Sequence, residues 1–192
     1  MSKVRIFIDL DGVIADWFGG ACEVCGIDVN EERYRNILKK GTMVQDIKEV
    51  VQDEEEVWSK IAKDGSGWWR SLKLLPWAYT LYDTMSELGD VAFLTSNGSI
   101  SRHIRSSSLA AKGKCEWVHD HFDTDALMIA HDKHFCANAN SILIDDSPEK
   151  IEKFIAWGGH GFLWPNQYKM IDGEVDTKEL FETLISAVNN IK

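Results

Sequence analysis

Several things are scarce in this chain, and each scarcity removes a class of function. No stretch approaches the ~18 apolar residues that a membrane-spanning helix needs, so no membrane partner is expected. The apolar run near the start is only Ile6, Phe7 and Ile8, with Asp9 and Asp11 following at once, which does not make a signal peptide. Basic residues are outnumbered, 21 Lys and Arg against 31 Asp and Glu, for a net charge of −10. That balance argues against a nucleic-acid polymer, whose phosphates are met by basic surfaces. It leaves room for a small anionic substrate held by a few local cations. Cysteine is sparse, with four residues in 192. They form no dense disulfide framework, and a cytoplasmic protein is expected. Internal repeats, low-complexity tracts and long linkers are also lacking.

Cys22 and Cys25 form a CxxC, and His131, His134 and Cys136 cluster downstream. Zinc needs about four such ligands with clean spacing. The alternative is ordinary helix residues and solvent-facing histidines. Asn97-Gly98-Ser99 matches a glycosylation sequon, which carries no meaning in the cytosol.

What is present fits one domain with a modest insertion, since 44% of residues are hydrophobic and 27% charged. Val4 to Ile8 is apolar at nearly every position, the pattern of a strand buried on both faces of a parallel sheet. Residues 16–75 are polar and helical in pattern. Their densest acidic patch, Asp53 to Glu56, reads as a solvated helix face. Pro76 opens a helix that Gly89 ends. Strands follow at Val91–Thr95, Ala126–Ala130, Ser141–Asp145 and Gly161–Trp164. Between and after them lie helices at Ile100–His121, with a break near Gly113, at Pro148–Trp157 and at Thr177–Ile191. This alternation predicts an α/β fold, a Rossmann-like parallel sheet with helices on both faces. The polar helical stretch 16–75 is the insertion after the first strand.

Ligands of such a sheet bind at the carboxyl ends of its strands. Asp9 and Asp11 follow the first strand, Thr95 and Ser96 the second, and Asp145 and Asp146 the fourth. Lys133 lies just past the third. Crowded carboxylates are costly at neutral pH unless a cation neutralises them. Hard oxygen ligands suit Mg²⁺, which is held by one or two carboxylates plus substrate phosphate. Asp9 and Asp11, two apart on a strand, fall on the same side roughly 6–7 Å apart. One can attack phosphorus while the other protonates the leaving oxygen. Gly12 lets the backbone turn away tightly at the edge of the substrate site. Read singly, Asp9 and Asp11 could cap a turn, and Asp145 and Asp146 could cap the helix at Pro148. Together and in this order they point to a phosphoryl site.

These motifs resemble those of the haloacid dehalogenase (HAD) superfamily. Asp9-Leu10-Asp11-Gly12-Val13 is similar to its first motif, Thr95-Ser96 to the second, Lys133 to the third and Asp145-Asp146 to the fourth. The resemblance implies that Asp9 is the nucleophile and Asp11 the general acid and base. It implies that Asp9, the backbone carbonyl of Asp11 and Asp146 bind Mg²⁺. Asp145 would orient Lys133 or a metal-bound water, ranking behind Asp146 as a direct ligand.

A narrower resemblance is to the 5′(3′)-deoxyribonucleotidases and their bacterial and phage relatives. It is carried by DLDGVIADWFGG at the start, by Gly67-Trp68-Trp69-Arg70-Ser71-Leu72 through Pro76, by Lys114 to Val118 and by Ile142 to Pro148. It implies a core of residues 1–15 and 76–192, a small helical cap of 16–75 inserted after the first strand, and a nucleoside monophosphate as substrate. The chain departs from the family pattern at Trp77-Ala78, at His131 where arginine is usual, and at Asn97 where proline is usual. Ser96, Asn97 and His131 would therefore shape the substrate pocket. Trp17, Trp68 and Trp69 would either stack on a base or pack the core. Trp117, Trp157 and Trp164 read as packing residues, and Arg70 as either a substrate contact or a surface residue. Another small phosphate ester, such as a sugar phosphate, is the rival substrate. A catalytically silent binding protein is the rival class, and a homodimer is left open.

Overall fold

The computed structural model describes residues 3–40, 50, 54–97 and 100–191. Its centre is a five-stranded parallel sheet. The strands are β1 (Arg5–Ile8), β2 (Asp90–Thr95), β3 (Leu127–Ile129), β4 (Ser141–Asp145) and β5 (His160–Leu163), in the spatial order β3-β2-β1-β4-β5. Side chains alternate across a strand, so β1, β2 and β4 each feed two cores. Ile6 and Ile8, Phe93, and Ile142 and Ile144 enter the larger core. Phe7, Leu94 and Leu143 enter the smaller one with Ile151 and Phe154. Burial on both faces is why these strands read as continuous apolar runs.

Helices α1 (Trp17–Val24), α2 (Glu32–Leu38), α3 (Glu54–Asp64) and α4 (Ser66–Arg70) lie between β1 and β2 in the chain and form the helical cap. Helix α5 (Ala78–Leu88) leads back into the sheet. Next come α6 (Ile100–Phe122), α7 (Pro148–Ala156), α8 (Gln167–Ile171) and α9 (Thr177–Asn189). Among the described residues, no helix is long and apolar enough to cross a membrane.

The chain leaves and re-enters the core at one narrow neck. Asp16 N–H donates to the Lys73 carbonyl and Leu75 N–H to that of Ile14, each at 2.9 Å. Asp16 also caps α1, accepting from Gly19 N–H at 2.8 Å. The far side of the cap is tied to the loop after α8, where Asp172 pairs with Arg35 at 2.6 Å and with Lys39 at 2.5 Å.

Three expectations need correction, and one helix was not foreseen. Helix α6 does not break at Gly113. It runs straight through, and the missing Cβ admits α4, whose Ser66 carbonyl and Trp69 Cβ occupy the place a side chain would take. The helix after Pro76 begins at Ala78, and Trp77 turns its ring back to donate to the Val13 carbonyl at 2.7 Å. Helix α8 has no counterpart in the sequence reading, although Asn166 caps it through its side chain. Trp157 is exposed rather than packed: it ends α7, with its ring beside those of His134 and Phe135. Of the acidic patch, Glu55 and Glu56 are exposed as expected, while Asp53 lies outside the described residues. So do Gly98 and Ser99 of the sequon.

Candidate active site

The strand order reverses direction between β1 and β4, and that crevice is where an open α/β sheet presents a site. Ile8 pairs with Ile144, so the next residue on each strand stands side by side at the carboxyl edge. Those residues are Asp9 and Asp145, and Asp146 follows. Ligand atoms of Asp9, Asp145 and Asp146 all lie within 4.8 Å of one another, and all three residues are buried.

Lys133 reaches between two of them, 2.7 Å from Asp9 Oδ1 and 2.6 Å from Asp145 Oδ2. It comes from a short 3₁₀ turn (Lys133–Cys136) after β3 and is itself buried. Lys150, in the first turns of α7, lies 3.4 Å from Asp9 Oδ2 and 3.7 Å from Asp145 Oδ1. Asp145 Oδ1 also accepts from Ser147 N–H at 2.9 Å, and Asp9 Oδ1 from Leu10 N–H at 2.8 Å.

These neighbours split the acidities of the three carboxyls. Burial pushes the Asp9 pKa up, but the ammonium groups of Lys133, Lys150 and Lys114 outweigh it and hold Asp9 well below the usual carboxylate range. Asp145 is pushed up by burial and by the charge of Asp9. Asp146 is pushed well above the usual value by burial and then by both neighbouring aspartates. Burial opposes the charge of Lys150, yet the three aspartates raise its pKa above the ordinary lysine value. A buried anionic cluster short of positive charge fits a divalent cation, and its donors are hard oxygens of the type Mg²⁺ prefers. No cysteine or histidine joins such a group among the described residues. Burial, with the neighbouring Cys25 and Asp16, pushes the Cys22 thiol up to about 12, which suits packing rather than metal binding.

Gly12 closes the floor of the site. Its φ is +76°, and a Cβ there would run into Asp146 Oδ2. Only glycine tolerates both the conformation and the approach. Asp11 stands at the rim, its Oδ2 2.5 Å from Lys114 Nζ. Lys114 also donates to Thr95 Oγ1 at 3.0 Å and to the Ser96 carbonyl at 2.7 Å.

The structure thus brings together Asp9, Asp11, Gly12, Thr95, Ser96, Lys133, Asp145 and Asp146. Asn97 follows directly, its side-chain amide 3.4 Å from the Ser107 carbonyl. His131 is exposed and lines a cavity of about 250 Å³ with Lys133, Ser147 and Lys150. Trp17, Trp68 and Trp69 are buried against one another. Trp17 and Trp68 ring centroids are 6.4 Å apart, and those of Trp68 and Trp69 are 4.8 Å apart, both edge to face. Arg70 points away to Asp120, 2.6 Å distant on the surface. Sequence reasoning did not single out Lys114 or Lys150 as site residues. For Lys150 a signal existed, since it falls four residues after Asp146, one helical turn on.

Compared with known proteins, the chain matches the family model described as "5' nucleotidase, deoxy (Pyrimidine), cytosolic type C protein" over residues 2–184. No curated protein matches it. Among solved structures it is similar to a haloacid dehalogenase-like family hydrolase from Xanthomonas campestris. Identity there is 8%, coverage 99% of this chain and 94% of that one, and the TM-score 0.52. A magnesium complex of a HAD-family enzyme from Bacteroides thetaiotaomicron is 15% identical, over 86% of this chain and 95% of that one, with a TM-score of 0.45.

Proposed function

Because the chain belongs to the family of 5′ nucleotidase, deoxy (pyrimidine), cytosolic type C proteins, we propose that its substrate is a (deoxy)nucleoside monophosphate. The protein is a Mg²⁺-dependent phosphomonoesterase of HAD fold. The observation that carries this reading is the meeting of Asp9, Asp145 and Asp146 at the β1/β4 crevice with Lys133 between two of them.

Asp9 is the nucleophile in this reading. The lysines keep it ionised and therefore competent to attack. One of its oxygens bonds to phosphorus as the bond from phosphorus to the sugar oxygen breaks. Asp11 gives that departing oxygen its proton. Asp11 then takes a proton from water, whose oxygen bonds to phosphorus as the Asp9–phosphorus link breaks. Phosphate leaves and both aspartates return to their starting states. Thr95 Oγ1 accepts from Lys114, so its own proton is left to donate to a phosphoryl oxygen. Ser96 N–H and Lys133 add further donors. Asp9, Asp146 and the Asp11 carbonyl would hold Mg²⁺, which supplies positive charge to set against the phosphoryl oxygens.

Substrate choice falls to the rim, where Asn97 and His131 stand, and to the cap. We take the core as residues 1–15 and 76–192 and the cap as 16–75. The paired hydrogen bonds of Asp16 with Lys73 and of Leu75 with Ile14 support that division. A cytosolic setting accords with four free cysteines.

The experiment is phosphate release with Mg²⁺ and with EDTA, across ribo- and deoxyribonucleoside 5′- and 3′-monophosphates and several sugar phosphates. Metal-dependent turnover led by deoxynucleotides is expected. Turnover led by sugar phosphates would overturn the substrate class and keep the catalytic residues.

A further inference from the structure

Lys114 is among the most deeply buried charged side chains of the molecule, 2% exposed, and it belongs to none of the four motifs. It projects from the middle of α6, beside Gly113, where that helix touches α4. Every one of its donors has a destination: Asp11 Oδ2, Thr95 Oγ1 and the Ser96 carbonyl. Its ammonium also lies 4.9 Å from the ring centroid of Trp69, within cation–π range. A buried, fixed lysine gives up rotamer freedom and the hydration of its charge, and here a fully engaged ammonium offsets both losses.

The two carboxylate oxygens of Asp11 are not equivalent. Oδ2 is taken by Lys114, whereas Oδ1 is buried with no hydrogen-bond partner among the described residues. An acid catalyst needs one oxygen held still and the other available to carry and deliver a proton. Resting on the phosphatase reading above, we infer that Lys114 is a positioning residue for the acid step. It clamps Oδ2 so that the transferable proton sits on Oδ1, which delivers it to the departing ester oxygen as the phosphorus–oxygen bond breaks. Thr95 Oγ1, the Ser96 carbonyl and the Trp69 ring hold the ammonium in place for that contact.

A residue that acts only through the acid matters in proportion to how much the leaving group needs a proton. A sugar oxygen leaves as a strong base and needs one. The aryl oxygen of p-nitrophenyl phosphate is far less basic and hardly does. In K114M we expect kcat on a nucleoside monophosphate to fall at least ~10²-fold, the low end of what general acids contribute. On p-nitrophenyl phosphate the fall should be under about tenfold, with KM for both little changed. K114R, which restores the charge, should recover part of the first loss. Circular dichroism and a melting curve establish that each variant is folded. If K114M does not fold, the same ratio is read from K114R and K114Q. Equal losses on both esters, or no loss on either, would overturn the assignment. Wild-type protein inert toward both esters with Mg²⁺ would instead remove the phosphatase reading itself, and the role of Lys114 with it.

Discussion

Gly12 and Asp146 stand so close that a side chain on the first would run into the carboxylate of the second. One belongs to the turn after β1, the other to the end of β4, and 134 positions of sequence separate them. The contact ties the backbone of the first motif to the carboxylate proposed as a metal ligand. Gly12→Ala should therefore do two things at once. The positive φ costs about 1–3 kcal/mol of backbone strain, visible as a lowered melting temperature. Displacement of Asp146 should weaken Mg²⁺, visible as a right-shifted magnesium titration of the activity. A variant that melts lower yet binds Mg²⁺ as before would separate the two effects and refute the coupling.

Asp9→Asn keeps the shape of the side chain and removes its charge. Phosphate release should drop to the level of an enzyme-free control at saturating Mg²⁺. Turnover near wild type would show that another group attacks phosphorus.

Lys133→Met removes the nearer of the two cations that Asp9 and Asp145 share and leaves them Lys150, at 3.4 and 3.7 Å. Breaking a buried charge network from one side commonly costs about 3–5 kcal/mol. Urea denaturation of the metal-free protein should show a loss of that order, with part of it regained when Mg²⁺ is added. An unchanged midpoint would mean that Lys133 serves chemistry alone.

Asp146 makes a prediction of opposite sign. Its folded pKa is raised, so the folded protein holds a proton that the unfolded chain has lost. Metal-free stability from this group should fall as pH rises from the ordinary aspartate value, about 3.9, through the raised folded value. Asp9 works the other way, since its lowered pKa contributes stability above the ordinary value that is lost as pH falls through the folded one. Asp146→Asn should then melt higher than wild type at neutral pH without metal, with a flatter dependence of melting temperature on pH. It should also lose the rise in melting temperature that Mg²⁺ gives the wild type. Differential scanning calorimetry across pH, with and without Mg²⁺, reads all three.

Much of this site could be read from the chain because strand ends announce themselves. Ile8 is followed by Asp9, and Ile144 by Asp145, so an apolar run gives way to a carboxylate at the sheet edge where it is useful. Lys133, a cation just past a strand, stood out for the same reason. Lys114 did not, because a lysine in a long helix ordinarily faces water, and its burial depends on how α6 lies against α4. Gly113 beside it reads in the sequence as a break in the helix, whereas its missing Cβ admits α4. For Trp17, Trp68 and Trp69 the sequence left stacking on a base and core packing both open, because their mutual orientation is decided by packing. The Trp68 ring plane is near-perpendicular to those of both Trp17 and Trp69, a geometry with no trace in sequence spacing.

That aromatic cluster gives the protein a built-in optical gauge. Trp58, Trp17, Trp68 and Trp69 form a chain of indoles with successive centroids 5.8, 6.4 and 4.8 Å apart, spanning α3, α1 and α4. Indoles so near one another share their excited states, so near-ultraviolet ellipticity and emission depend on their mutual angles. The last of them carries the Lys114 ammonium near its ring. A rearrangement within the cap that turns these helices against one another would therefore be recorded in the native spectrum, and a stopped-flow trace could time it without a label.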